Sequence, residues 1–203
     1  MSTPERYGPD RIIAFSDAVV AIAITVLLLP LADLEIPEGA TLGDLVRGNA
    51  ALLGGLTLSW VIIALFWLAH HRVFDHIEYF DGLTVRLNFL WLFAIALMPV
   101  PTNILVTSDG PNRQTTGFYI GWMLLISALL MFIGMHARRT PGMMKPDYTA
   151  TPGSHEARYR SYLITAVFGI CLVIAMFAPQ VALYFLLLQI PVDPLAERWA
   201  KRG

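Results

Sequence analysis

Residues 12–31 read IIAFSDAVVAIAITVLLLPL, and Asp17 is the only charge among them. A helix of this length, rising about 1.5 Å per residue, covers about 30 Å, the thickness of a bilayer's hydrocarbon core. The stretch predicts a first membrane span with a carboxylate about 7 to 8 Å inside one end. A charge at that depth is costly, is normally paired, and often marks a functional position.

The rest of the 203-residue chain agrees with a membrane setting. It is 56% hydrophobic and 14% charged, against about 25% charged residues in an ordinary soluble domain. Its mean hydropathy is +0.61. A net charge of −1 argues against a nucleic-acid partner. The single cysteine, Cys171, leaves no disulfide within the chain and no cysteine-type metal site. Residues 18–31 have the length of a signal-peptide core. However, Ser16-Asp17 interrupts its start and Pro30-Leu31-Ala32 is a poor cleavage site, so a retained span is expected.

Further apolar runs predict spans at about 50–69, 87–106 and 116–135, and a final uncharged run covers 161–192. That run is too long for one crossing, and Pro179-Gln180 lies near its middle. It divides into a fifth span at about 162–177 and a short sixth at about 181–190. The expected architecture is all-α: one integral membrane domain over residues 1–203 with six transmembrane helices. The proline- and glycine-containing stretch 137–159 is expected to be a flexible cytoplasmic loop. With both termini inside, all of the 14 Lys and Arg residues except Arg47 and Arg113 fall on the cytoplasmic side, as the positive-inside rule requires. A cell inner (plasma) membrane is the expected location. The outer loop carrying Asp33, Glu35, Glu38 and Asp44 either concentrates cations at an outer mouth or is simply a solvated acidic loop. P-loop, dinucleotide, nucleophile-elbow and zincin motifs are absent from the sequence, which points away from an enzyme.

Within the first span, Ile22, Thr25, Val26 and Leu29 share one helical face, extended by Ala18. Asp17 lies about 140° around the helix from Ile22, so it faces a neighbouring helix if the Ile22 face lines something else. From periodicity alone, an apolar stripe in a membrane helix is ordinary packing or lipid-facing surface.

The run Arg11-Ile12-Ile13-Ala14-Phe15-Ser16-Asp17, followed by Ala21-Ile22-Ala23-Ile24-Thr25, resembles the R-x-x-x-F-S-D signature of the transmembrane protein 175 family of potassium channels. The expected six spans, and His70-His71 following Trp67, resemble its prokaryotic branch across essentially the whole chain. The resemblance implies a homotetramer whose first helices surround a central pore. It implies a main hydrophobic constriction at Ile22, further apolar layers at Val26 and Leu29, and a pore-facing hydroxyl at Thr25 that helps discriminate potassium. Several relatives carry leucine where this chain has Val26, which would make the middle layer wider here. Arg11, Phe15, Ser16 and Asp17 are the signature residues. No cofactor is implied beyond permeant K+, and the partners are other copies of the chain, the lipid bilayer and K+.

Four-fold rings of Ile22, Val26 and Leu29 would form an apolar neck that gates by dewetting, and the chain has no T-V-G-Y-G loop to select ions with backbone carbonyls. Ser16 and Asp17 are expected to hydrogen-bond to the second and third helices around Trp67, His71 and Asn88, fixing the tilt of the pore helix. The plainer alternative is polar capping at the membrane interface. His71 and Asp75 have a workable metal-ligand spacing, yet they sit at a span's end where polar residues are expected anyway, so no metal is assigned. The leading functional expectation is a potassium-selective leak channel. The alternative is a proton-conducting channel or proton-coupled transporter, and a non-conducting membrane enzyme or scaffold stands third.

Overall fold

The computed structural model describes residues 9–35, 38–146 and 153–187. Its main elements are helices: α1 (Pro9–Leu27), α2 (Leu42–Gly48), α3 (Ala50–Phe74), α4 (Gly82–Ala96), α5 (Pro99–Thr107), α6 (Arg113–Arg139), α7 (Gly153–Phe177) and α8 (Pro179–Leu187). Five segments are long and apolar enough to cross a membrane: Pro9–Leu31, Ala50–Phe74, Gly82–Thr107, Arg113–Arg139 and Arg160–Phe177. The expected sixth span at 181–190 corresponds to the nine-residue α8, with residues 188–190 outside the described residues.

Helix boundaries follow local chemistry. Asp10 stands in the first turn of α1, where a negative charge meets the exposed N–H groups. At the other end Pro30 has no N–H to continue the α ladder, so the chain tightens into a 3-10 turn over Leu29–Leu31. Thr41 and Asp44 form a capping box that starts α2. Asn112 accepts from the Gln114 and Thr115 N–H groups and starts α6.

The third span departs from the continuous helix expected over 87–106. It begins earlier, at Gly82, because Asp81 caps the Thr84 N–H at 2.8 Å. It then breaks between Ala96 and Pro99, because Pro99 and Pro101 cannot donate to the ladder. At the break the Met98 N–H donates to the Ile95 carbonyl at 3.0 Å. The Ala94 carbonyl, which a regular helix would pair with Met98, instead accepts from the Trp122 indole of α6 at 2.8 Å. The kink is thus satisfied by a neighbouring helix.

The expected loop 137–159 is also shorter than its composition implied. α6 runs on to Arg139, where Thr140 caps its end, and α7 begins at Gly153. Between them Met144 bridges antiparallel to Ile77, the Glu78 N–H donates to the Met143 carbonyl, and the Lys145 N–H donates to the His76 carbonyl. These backbone pairs tie the chain after α6 to the turn between α3 and α4.

α6 is the central post, packing against α4, α5, α7 and α8. α1 lies on the other side, against α3, α4 and α5. Tyr119, Ile120, Met123, Ile126 and Ile133 of α6 are fully buried. α7 and α8 form a hairpin across α6, joined to it by a Ser127–Thr165 hydrogen bond of 2.8 Å and to α3 by stacking of Phe168 on Phe66.

Candidate functional site

α1 has two faces with different fates. Ser16, Val20, Ala23 and Leu27 are buried against the neighbouring helices. The opposite face carries Phe15, Ile22, Val26 and Leu29, which are 49%, 61%, 41% and 59% exposed, together with exposed Ala18 and Thr25. An unbroken apolar strip therefore runs along the outside of the subunit. The Thr25 hydroxyl donates to the Ile22 carbonyl at 2.8 Å. That bond uses its one hydrogen and leaves the oxygen lone pairs free to face outward.

At the Asp17 end, α1 is tied to two helices. The Trp67 indole of α3 donates to Asp17 Oδ1 at 2.8 Å. Asn88 of α4 donates through Nδ2 to Ser16 Oγ at 2.9 Å, and Ser16 donates in turn to the Ile12 carbonyl at 2.8 Å. The direction of these bonds settles the next one. Because Ser16 spends its hydrogen on Ile12, it accepts from Asn88, which turns Asn88 Oδ1 toward His70 Nε2 at 2.9 Å. His70 Nε2 therefore carries a hydrogen. The imidazole is buried and stacked between Phe74 and Trp91, with ring centroids 3.9 Å and 4.3 Å away.

The expected partner His71 occupies a different place. It is exposed and stacks on the Trp67 ring with centroids 5.7 Å apart. The reason is helical phase. Ser59, Ile62, Ile63, Phe66, His70 and Phe74 form the buried side of α3, and His71 is turned about 100° from His70. The four-residue steps Phe66–His70–Phe74 carried this information in the sequence. Of the other signature residues, Arg11 is exposed and Phe15 lies beside Phe89 of α4, with centroids 5.7 Å apart. Among the described residues, no group of three or more His, Cys, Asp or Glu is arranged to hold a metal ion.

A second tie lies near the same end of the helices. His136 of α6 meets Asp81 at 2.8 Å, and Asp81 also accepts from the Thr84 hydroxyl at 2.7 Å. Partial burial pushes the Asp81 carboxyl up. The Thr84 N–H, the His136 ring and the Thr84 hydroxyl outweigh that push and hold it below the ordinary carboxylate value.

The comparisons with known proteins converge on these helices. The sequence model of the family described as "Endosomal/lysosomal potassium channel TMEM175" matches residues 11–99, which run from Arg11 through the kink at Pro99. A Streptomyces collinus protein named as a potassium channel is 30% identical over 156 residues, covering 74% of each chain. The chain belongs to the TMEM175 family. A rat relative named "Endosomal/lysosomal proton channel TMEM175" is 27% identical over 176 residues, covering 83% of this chain but 34% of the longer rat protein. The fold resembles the crystal structure of a lysosomal potassium-selective channel TMEM175 homolog from Chamaesiphon minutus. The TM-score is 0.69 at 22% identity, over 96% of this chain and 97% of the other. This TMEM175-family chain is accordingly a multi-pass membrane protein of the channel class.

Proposed function

We propose that this chain is the subunit of a homotetrameric, potassium-selective leak channel whose pore is lined by the exposed face of α1. The observation that carries the reading is the division of α1 into a face tied down by Ser16, Asp17 and their partners and a face that leaves Ile22, Thr25, Val26 and Leu29 uncovered. Four such faces around an axis enclose a narrow apolar neck at the Ile22 layer, with Val26 and Leu29 above it. A neck of this kind conducts only when wide enough to stay wet, so its diameter sets the gate. Thr25, one turn above Ile22, offers an oxygen to a partly dehydrated cation between apolar layers. Trp67 and Asn88 fix the inner end of α1 so that the three apolar layers stay in register.

The helix pairings put the ends of α3 and α6 and the start of α4 together at the Asp17 end, and Arg72, Arg86, Arg138, Arg139 and Lys145 cluster there in the sequence. Under the positive-inside rule that end faces the cytoplasm. The subunit sits in the cell inner membrane with both termini inside. The naming of the rat relative as a proton channel supports proton conduction as the second reading.

Flux from proteoliposomes under a potassium gradient tests both. Wild type is expected to pass K+ faster than Na+. Ile22→Asn is expected to raise flux or lower the K+/Na+ ratio by wetting the neck. Proton uptake without K+ flux would select the second reading, and no flux of either ion from verified oligomers would reject both.

A further inference from the structure

Within the membrane-spanning part, three hydroxyl groups from three helices meet where only apolar packing would be expected. Ser59 of α3, Thr102 of α5 and Tyr119 of α6 are all completely buried. Ser59 Oγ donates to the Gly55 carbonyl at 2.8 Å. It accepts from Tyr119 at 2.8 Å and from Thr102 at 2.9 Å. The serine thereby uses its one hydrogen and both lone pairs. Thr102 shares its own hydrogen with the Met98 carbonyl at 2.9 Å, at the foot of α5.

These bonds act on a short helix set apart from the rest of its span. α5 is nine residues long and is cut off from α4 by the proline break. On its α1 side lies an open groove of about 530 Å3, lined by Val26 and Leu29 of α1 and by Val100, Asn103 and Ile104 of α5. α5 therefore takes its position mainly from α3 and α6, against which it packs. At Gly55, whose carbonyl ends the hydroxyl chain, α5 also packs tightly on α3: a Cβ there would collide with Val106. The outer half of α1 lies across this groove from α5, with Leu56 of α3 also lining it, so the setting of α5 bears on the room available to the Val26 and Leu29 layers.

We propose that Ser59, Thr102 and Tyr119 are positioning residues that set α5, and through it the width of the outer layers of the neck at Val26 and Leu29. This rests on the channel reading above. In a water-poor interior, polar groups that lose a partner are re-satisfied by small adjustments of the surrounding helices. Removing one hydroxyl thus moves α5 without touching any residue of α1.

The test compares wild type, Tyr119→Phe, Thr102→Val and Thr102→Ser as oligomers in proteoliposomes, reading the K+/Na+ flux ratio and, separately, the melting temperature. Tyr119→Phe and Thr102→Val are expected to change the ratio by about threefold or more, within the range of coupling through packed helices. Thr102→Ser, which keeps the hydroxyl, is expected to restore the wild-type ratio. If wild type conducts K+ and the ratio is the same in all four proteins, the proposal is overturned, whether or not the melting temperatures fall. If Tyr119→Phe and Thr102→Val cannot be recovered folded while Thr102→Ser can, the cluster is a folding determinant and the proposal is likewise overturned. Failure of wild type itself to conduct would instead strike the channel reading.

Discussion

Asp17 illustrates how a residue's cost is offset locally. Its carboxylate receives the Trp67 indole N–H, and a hydrogen bond to a charged group contributes about 1.5–3 kcal/mol. Asp17→Ala is expected to lower the stability of the purified protein by about that amount and reduce the yield of oligomer. Asp17→Asn, which keeps an acceptor oxygen, should lose less. Thermal melts of the two variants in detergent check this, and a full oligomer yield from Asp17→Ala combined with altered ion preference would contradict the anchoring role. That Asp17 turns away from the Ile22 face was legible from helical phase alone. The choice of His70 over His71 was legible too, in the four-residue step from Phe66, but the adjacency of the two histidines hid it. The pairing of Ser59, Thr102 and Tyr119 was not legible. The three residues are far apart in the chain and each is unremarkable among apolar neighbours, so only tertiary packing brings them together.

At the scale of elements, the ends of helices decide more than their middles. Asp81 starts α4 and also ties it to α6 through His136. Its carboxyl lies below the ordinary value in the folded protein. A depressed carboxylate contributes stability that is fully present above its unfolded pKa of about 3.9 and is lost as pH falls through the lower folded value. Wild type is therefore expected to lose stability as pH drops below about 4, and Asp81→Asn to show a shallower acid dependence with a lower plateau at neutral pH. Melting temperatures measured from pH 3 upward, on the order of half a unit apart, check it, and parallel profiles for the two proteins would contradict it. Five of the six expected spans were readable from apolar length, whereas the sixth, at about 181–190, meets only the nine-residue α8. The capped start of α4 at Gly82 was missed because the apolar run begins only at Leu87. The break at Pro99 was missed because two prolines within an apolar run change its shape without changing its hydropathy. The chain after α6 looked like a plain linker because its pairing with His76 and Glu78 runs through backbone groups, which composition does not reveal.

For the whole molecule, the uncovered strip of α1 is the feature that assembly must explain. A ring of four is expected to appear by native mass spectrometry as a complex of four 22.5 kDa chains, and a purely monomeric species that still conducts would contradict the proposed pore. Fold class and membrane character followed from composition and from residues 12–31. The number of subunits did not, since nothing in one chain's periodicity counts its neighbours. The same strip bears on biogenesis. Ile22, Val26 and Leu29 sit as comfortably against acyl chains as against one another, so a newly inserted subunit has no hydrophobic penalty to escape while it waits for partners. Formation of the proposed ring would then be driven by shape and close packing rather than by flight from water. Its extent depends on how many copies share a given area of membrane. On the proposed tetramer, a sparse bilayer would hold folded, silent single subunits, and rising expression alone would convert them into channels.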